Sequence, residues 1–191
     1  MKKVATLTLT FLVLTASWAT ACTCSGFDKK VIKAMFKEAD FVIIGKALTN
    51  IEPDSMMLQS LNQEMMGSDV LFKIDSVLKG DVKRNETVFI YQFSGSCSSV
   101  LKFGDSYLIF GNRINKFKEA KDTVEVSEGE IPPPPPPYIL NGEVEVFADT
   151  EFVSFLNNQL EIYDTLTTDL CSTFHSDSKA FADAIKHLKK N

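Results

Sequence analysis

Four cysteines constrain this 191-residue chain most tightly, because Cys22 and Cys24 stand one residue apart while Cys97 and Cys171 are remote. A bond between Cys22 and Cys24 would close a strained ring, whereas side chains at i and i+2 of an extended segment point to the same side. The C-x-C therefore reads as a double anchor, tying one short segment to two distant parts of the chain. Which of the two takes Cys97 and which takes Cys171 is open on these grounds. The loops so closed span roughly 75 and 150 residues, worth about 4 to 5 kcal/mol each in the chain-entropy account. A metal site built from the same four residues would lack any C-x-x-C pair and is set aside.

Disulfides call for an oxidising compartment, and the first residues supply an address. Met1-Lys2-Lys3 is positive, and Val4 to Thr15 is an apolar stretch too short to span a bilayer comfortably. Ala19-Thr20-Ala21 provides the small residues required before a signal-peptidase cut at Cys22. The expectation is a signal peptide over 1–21 and one exported domain over 22–191, secreted or periplasmic. A cysteine at the new N-terminus also admits a lipid anchor on Cys22 and a place on the cell surface. Ala19, where a lipobox has leucine, favours the ordinary cut.

Twenty Lys and Arg against 25 Asp and Glu give a net charge of −5 with no long basic run, which disfavours a nucleic-acid partner. Two histidines and four cysteines leave little material for catalysis, and no phosphate loop, nucleophile elbow or H-E-x-x-H is present. The chain is not expected to be an enzyme, to carry a cofactor or to hold a metal of its own. A monomer without a transmembrane segment is the expectation.

Asp28 is placed to cap a short amphipathic helix carrying Val31, Ile32, Met35, Phe36 and Ala39. Phe41 to Ala47 reads as a strand with Gly45 at a bulge or barrel bend. Alternation at Val70, Phe72 and Ile74 gives a second strand, ending at Lys79-Gly80-Asp81. Thr87 to Phe93 is a third, and Ser106 to Phe110, extending toward Arg113, a fourth. Lys116 to Glu130 reads as loop or weak hairpin, Pro132 to Pro137 as polyproline II, and Glu143 to Phe147 as a further strand. Helices are expected over Glu151 to Tyr163 and Ser178 to Lys190, the latter capped by Ser176 or Asp177. Short strands separated by turns suggest a closed or nearly closed barrel.

In this order the motifs resemble the tissue inhibitors of metalloproteinases, within the netrin-like group. The resemblance is carried by Cys22-Thr23-Cys24-Ser25, by the helix running into Ala39-Asp40-Phe41-Val42-Ile43-Ile44-Gly45-Lys46-Ala47, and by Phe72-Lys73-Ile74 to Leu78-Lys79-Gly80. Cys97 leading to Phe103-Gly104-Asp105-Ser106-Tyr107-Leu108-Ile109-Phe110, and Leu170-Cys171-Ser172-Thr173 before a last helix, complete it. It implies an all-β, five-stranded barrel of the oligonucleotide/oligosaccharide-binding type with flanking helices. It also implies disulfides Cys22–Cys97 and Cys24–Cys171.

By the same resemblance, the Cys22 amine and carbonyl would chelate the zinc of a partner metalloprotease and Thr23 would enter its specificity pocket. Cys24 and Ser25, with Gly95, Ser96, Cys97 and Ser98, would form the inhibitory ridge, and the loop carrying Met56, Met57, Met65 and Met66 would be a variable contact. A catalytic zinc keeps one open position, and an α-amine with pKa of about 7.7 to 8.0 is neutral in a useful fraction near neutrality. The chain departs from the animal inhibitors in having Gly26-Phe27-Asp28 after the C-x-C, in lacking a second domain, and in an insertion around 116–169. The alternative is a non-inhibitory netrin-like module that binds protein or glycan. The methionines alone would also suit Cu(I), and His175 and His187 read as surface histidines.

Overall fold

A computed structural model describes residues 24, 26–51, 65–92, 98–120 and 139–189, and the side chains of 139 and 140 are not among what it describes. Five strands close into a barrel: β1 (Phe41–Asn50), β3 (Val70–Lys79), β4 (Thr87–Gln92), β10 (Thr165–Thr168) and β6 (Ser106–Ile114), with β6 pairing back onto β1. All neighbours in the ring are antiparallel except β4 and β10, which run parallel from Thr165 opposite Phe89 to Thr168 opposite Gln92. A short strand β11 (Thr173–His175) pairs with β6 outside the ring. Two smaller sheets flank it: β2 (Met66–Gly67) with β5 (Leu101–Lys102), and β7 (Lys116–Glu119), β9 (Glu143–Val146) and β8 (Ile139–Leu140).

The barrel strands read as near-continuous apolar runs because many of them bury both faces. Along β4, Val88 and Ile90 enter the barrel core with Ile43, Phe72 and Ile109, while Phe89 and Tyr91 face outward into a second cluster with Phe117, Val144 and Leu156. Along β6, Ile109 points in, whereas Leu108 and Phe110 join Ile32, Val42, Phe174 and Ala184 in a third cluster. The second cluster lies under helix α2 (Thr150–Leu160), and the third under helices α1 (Lys29–Glu38) and α3 (Lys179–Leu188). Period-two alternation thus sorts each strand between barrel interior and helical layer. Each fully buried Phe, Ile or Leu contributes about 1.5 to 3 kcal/mol by leaving water.

Asp28 caps α1 by accepting hydrogen bonds from the N–H groups of Lys30 (2.8 Å) and Val31 (2.9 Å), as expected. Gly45 sits at a register shift of β1 on β3, where a Cβ would lie 2.1 Å from the Lys73 carbonyl oxygen, so only glycine lets the two backbones approach this closely. Gly80 turns the chain with φ +105 against the Phe41 ring.

Several expectations need correction. Lys116 to Glu119 is a strand, pairing parallel with β9, rather than loop or hairpin. Helix α2 is capped by Asp149 and ends at Leu160, three residues short of Tyr163. Helix α3 is capped by Ser178, whose Oγ accepts from Phe181 N–H at 3.1 Å, rather than by Ser176 or Asp177. The chain there is still tied to the barrel, since Ser176 N–H donates to the Ser106 carbonyl at 2.8 Å. Most consequentially, β10 closes the barrel from within 116–169, the segment set apart as an insertion. Its sequence, TLTT between Asp164 and Asp169, carries one apolar side chain and gave no strand signal, yet all four residues are buried. Pro132 to Pro137, and residues 1–21, where a signal peptide is expected, lie outside the described residues.

Candidate functional site

The parallel pair positions the site. Because β4 and β10 run the same way, both leave the barrel at one end, Gln92 five residues before Cys97 and Thr168 three before Cys171. Cys171 is held in a tight polar turn. The Asp169 carboxylate accepts from the N–H groups of Cys171 (2.9 Å) and Ser172 (2.8 Å) and from Ser172 Oγ (2.6 Å). Thr168 Oγ1 donates to the Phe110 carbonyl at 3.2 Å. On this turn Cys171 forms a disulfide with Cys24, bridging 147 positions of sequence, and Phe27 packs edge-on against Phe174 at 4.7 Å to seat the following residues. The bond is the one that the resemblance assigns to Cys24.

A polar cluster braces the same end. Gln92 donates its backbone N–H to Asp69 Oδ1 at 2.9 Å, and its side-chain Oε1 accepts from Ser99 N–H (2.5 Å) and Ser99 Oγ (3.1 Å). Burial pushes the Asp69 carboxyl up to about 7, against the smaller opposing effect of the Gln92 N–H. The residue as a whole is only partly covered, with Oδ1 turned toward the Gln92 N–H. Burial, and then the Asp69 charge, also raise the Tyr91 phenol. Sequence reasoning missed Asp69, Gln92 and Ser99, because Ser68-Asp69 looks like any polar turn ahead of a strand.

Met66 pairs with Lys102, and the Met65 carbonyl accepts from Phe103 N–H at 2.8 Å. Met65, 57% exposed, and Val100, 52% exposed, therefore stand on one rim beside Ser98 and Ser99. The structure thus gathers Cys24, Met65, Met66 and Ser98 at or near the end where Cys171 sits. Cys22, Thr23, Ser25, Gly95, Ser96, Cys97, Met56 and Met57, and with them the Cys22–Cys97 bond, lie outside the described residues.

The opposite end is sealed by Arg113. Its guanidinium lies over the Phe41 ring at 4.7 Å and pairs with Asp164 (2.8 Å) and Asp81 (2.5 Å), while its backbone N–H donates to Asp40 Oδ2 at 2.9 Å. These contacts border an open groove of about 610 Å³ between Asp40, Gly80, Asn115 and Asn141. His175 is half-buried and fixed: its Nδ1 accepts from Asp177 N–H (3.1 Å), leaving Nε2 to donate to Asp105 (3.1 Å), and its ring packs edge-on to Tyr107. Among the described residues no group of three or more His, Cys, Asp or Glu side chains could hold a metal ion, and no helix is long and apolar enough to cross a membrane.

What these features define is a closed five-stranded β-barrel with flanking helices, one end of which is cross-linked by a disulfide to the segment containing the C-x-C. The sequence matches no known protein family and no curated protein.

Proposed function

We propose that this chain is an exported, inhibitor-type barrel of the oligonucleotide/oligosaccharide-binding topology that blocks a zinc metalloprotease with its C-x-C segment. The observation that carries the reading is the common exit of β4 and β10, reinforced by the Cys24–Cys171 bond. An N-terminal C-x-C needs two anchors close together, and the strands that precede Cys97 and Cys171 in sequence end side by side at Gln92 and Thr168. The ring order β1-β3-β4-β10-β6 with one parallel pair also supports the topology.

In this reading Cys22 presents its α-amine and carbonyl oxygen as a five-membered chelate to the open position of the partner's zinc. Thr23 fills the adjoining specificity pocket. The disulfide at Cys24 and the braced turn at Asp169 limit the motion lost on binding, which favours affinity without added contact area. Met65 and Val100 supply apolar contacts on the rim, methionine being adaptable at such surfaces.

The test compares the chain beginning at Cys22 with one carrying a single extra N-terminal alanine, against a panel of zinc metalloendopeptidases. The extra residue should weaken inhibition by at least about 100-fold, the scale of a lost binding anchor. Thr23→Gly should weaken it by about tenfold with little change in stability. Equal inhibition by the extended chain would remove the chelation mechanism, and no inhibition by the free chain would leave the non-inhibitory netrin-like module.

A further inference from the structure

Helices α1 and α3 lie side by side on the barrel wall, and between them and strands β1 and β3 a cleft of about 560 Å³ stays open. Its walls are Phe36, Ile44, Leu78, Phe181, Ile185 and Leu188, with Ser76 and Lys189 as the polar groups. That volume falls within the range of about 300 to 1,000 Å³ typical of small-molecule sites. The apolar walls offer almost nothing to hydrogen-bond a sugar or a nucleotide.

The charge on these two helices runs against that of the chain. The helices and their caps carry seven exposed lysines (29, 30, 33, 37, 179, 186 and 189) against three acids, Asp28, Glu38 and Asp183, in a protein whose acids outnumber its bases 25 to 20. One nearby lysine is already committed. Lys79 Nζ donates to the carbonyls of Phe36 (2.9 Å), Lys37 (3.0 Å) and Ala39 (2.5 Å), neutralising the C-terminal end of α1. Lys189 is different: it lines the cleft and is exposed.

An apolar slot lined by one exposed lysine is complementary to one chemistry. The geometry points to a binding site for a long-chain carboxylate, its alkyl tail between α1 and α3 and its head group at Lys189. This is independent of the inhibitory reading, since the cleft is formed by the helical layer rather than by the barrel end that carries Cys171.

The experiment is a displacement titration on the chain beginning at Cys22, with 11-(dansylamino)undecanoate as fluorescent probe and hexadecanoate as competitor. One saturable site per chain is expected, with hexadecanol a poorer competitor than hexadecanoate. Ser76→Trp fills the cleft from the barrel wall without removing an apolar contact and should weaken binding by about tenfold or more. Lys189→Glu should weaken hexadecanoate several-fold and hexadecanol little, whereas Phe147→Ser, in the bend after β9, should leave both unchanged.

Absence of saturable binding overturns the proposal, as does unchanged affinity in folded Ser76→Trp and Lys189→Glu proteins. Should Ser76→Trp fail to fold, Lys189→Glu and the comparison with the alcohol decide. Two further results would also overturn it. One is tight sedimentation with phosphatidylglycerol vesicles that Ser76→Trp does not weaken, which would make the face a membrane-docking surface. The other is a dimer in analytical ultracentrifugation that Ser76→Trp dissociates, which would make a second copy the occupant.

Discussion

Asp69 carries a charge that the fold opposes. Its unfolded value of 3.8 rises to about 7 in the native protein because burial disfavours the carboxylate. Between those values the native state holds a proton that the unfolded chain has released, so stability is fullest at the acid side and declines as pH rises through about 7. The whole difference corresponds to about 4 kcal/mol. Asp28 and Glu143, whose values are lowered, titrate below this window and do not mask it between pH 5 and 8. Urea unfolding should therefore show lower stability at pH 8 than at pH 5. Asp69→Asn, which keeps an acceptor for Gln92 N–H, should be nearly level over that range and more stable than the parent at pH 8; a parent profile equally level would show that the carboxylate is not desolvated. Gly45→Ala should cost about 3 kcal/mol or more by thermal denaturation, since its methyl would meet backbone rather than a movable side chain. At this scale legibility followed chemistry. The Gly45 approach and the Asp28 cap show in the sequence because each is a local rule. The Asp69–Gln92–Ser99 cluster does not, because it joins positions up to 30 residues apart that only the barrel brings together.

Among the elements, the strands with long apolar runs were readable and the short polar ones were not. Strands β1, β3, β4 and β6 announce themselves through Val, Ile and Phe at nearly every inward position. Strand β10 is held as a strand by the two neighbours that complete its ladder; its β-branched threonines suit a strand, but TLTT lacks the apolar alternation that would mark one in the sequence. Its hydroxyls are absorbed locally: Thr165 Oγ1 donates to the Tyr163 carbonyl at 3.2 Å and Thr168 Oγ1 to that of Phe110, while Thr167 Oγ1 finds no partner among the described residues. Helix α2 is joined to β7 at its start by Thr150 Oγ1, which donates to Glu119 Oε2 at 3.1 Å, and at its middle by Asn157. Asn157 accepts from Phe117 N–H (3.0 Å) and donates to the carbonyls of Phe117 (2.9 Å) and Val153 (3.0 Å), so a helix stands in for a sheet neighbour along the strand edge. Asn157→Ala should lower stability by about 2 kcal/mol, with Phe117 N–H left unsatisfied. Hydrogen exchange should then accelerate at Phe117 ahead of global unfolding. Unaltered protection there would mean that the second cluster, not Asn157, holds β7 to the helix.

For the whole molecule, the closed ring leaves the barrel without free edges among its five strands, and the three clusters make one continuous fold of barrel and helical layers. The tether is then an addition to a fold that already has a core. Sequence spacing suggested that the C-x-C should reach distant places, but not that the strands ahead of Cys97 and Cys171 end side by side, because that pairing depends on β10, the strand that spacing and hydropathy failed to reveal. The Cys24–Cys171 bond joins positions 147 apart, and in the chain-entropy account removing it releases about 5 kcal/mol of order from the unfolded ensemble, with little change in the native state. Replacing both cysteines by serine should therefore lower the unfolding free energy on that scale under oxidising conditions. Apart from the loss of the disulfide's own broad band, the phenylalanine fine structure in the near-UV circular dichroism of the native protein should stay unchanged, because Phe27, Phe110 and Phe174 still pack against one another. Inhibition, if it rests on a braced N-terminal segment, should fall more steeply than stability at temperatures where the variant remains folded. A double variant that is folded and loses less than about 1 kcal/mol would mean that the aromatic contact at Phe27, rather than the sulfur bridge, fixes the N-terminal segment to the β10–β11 turn.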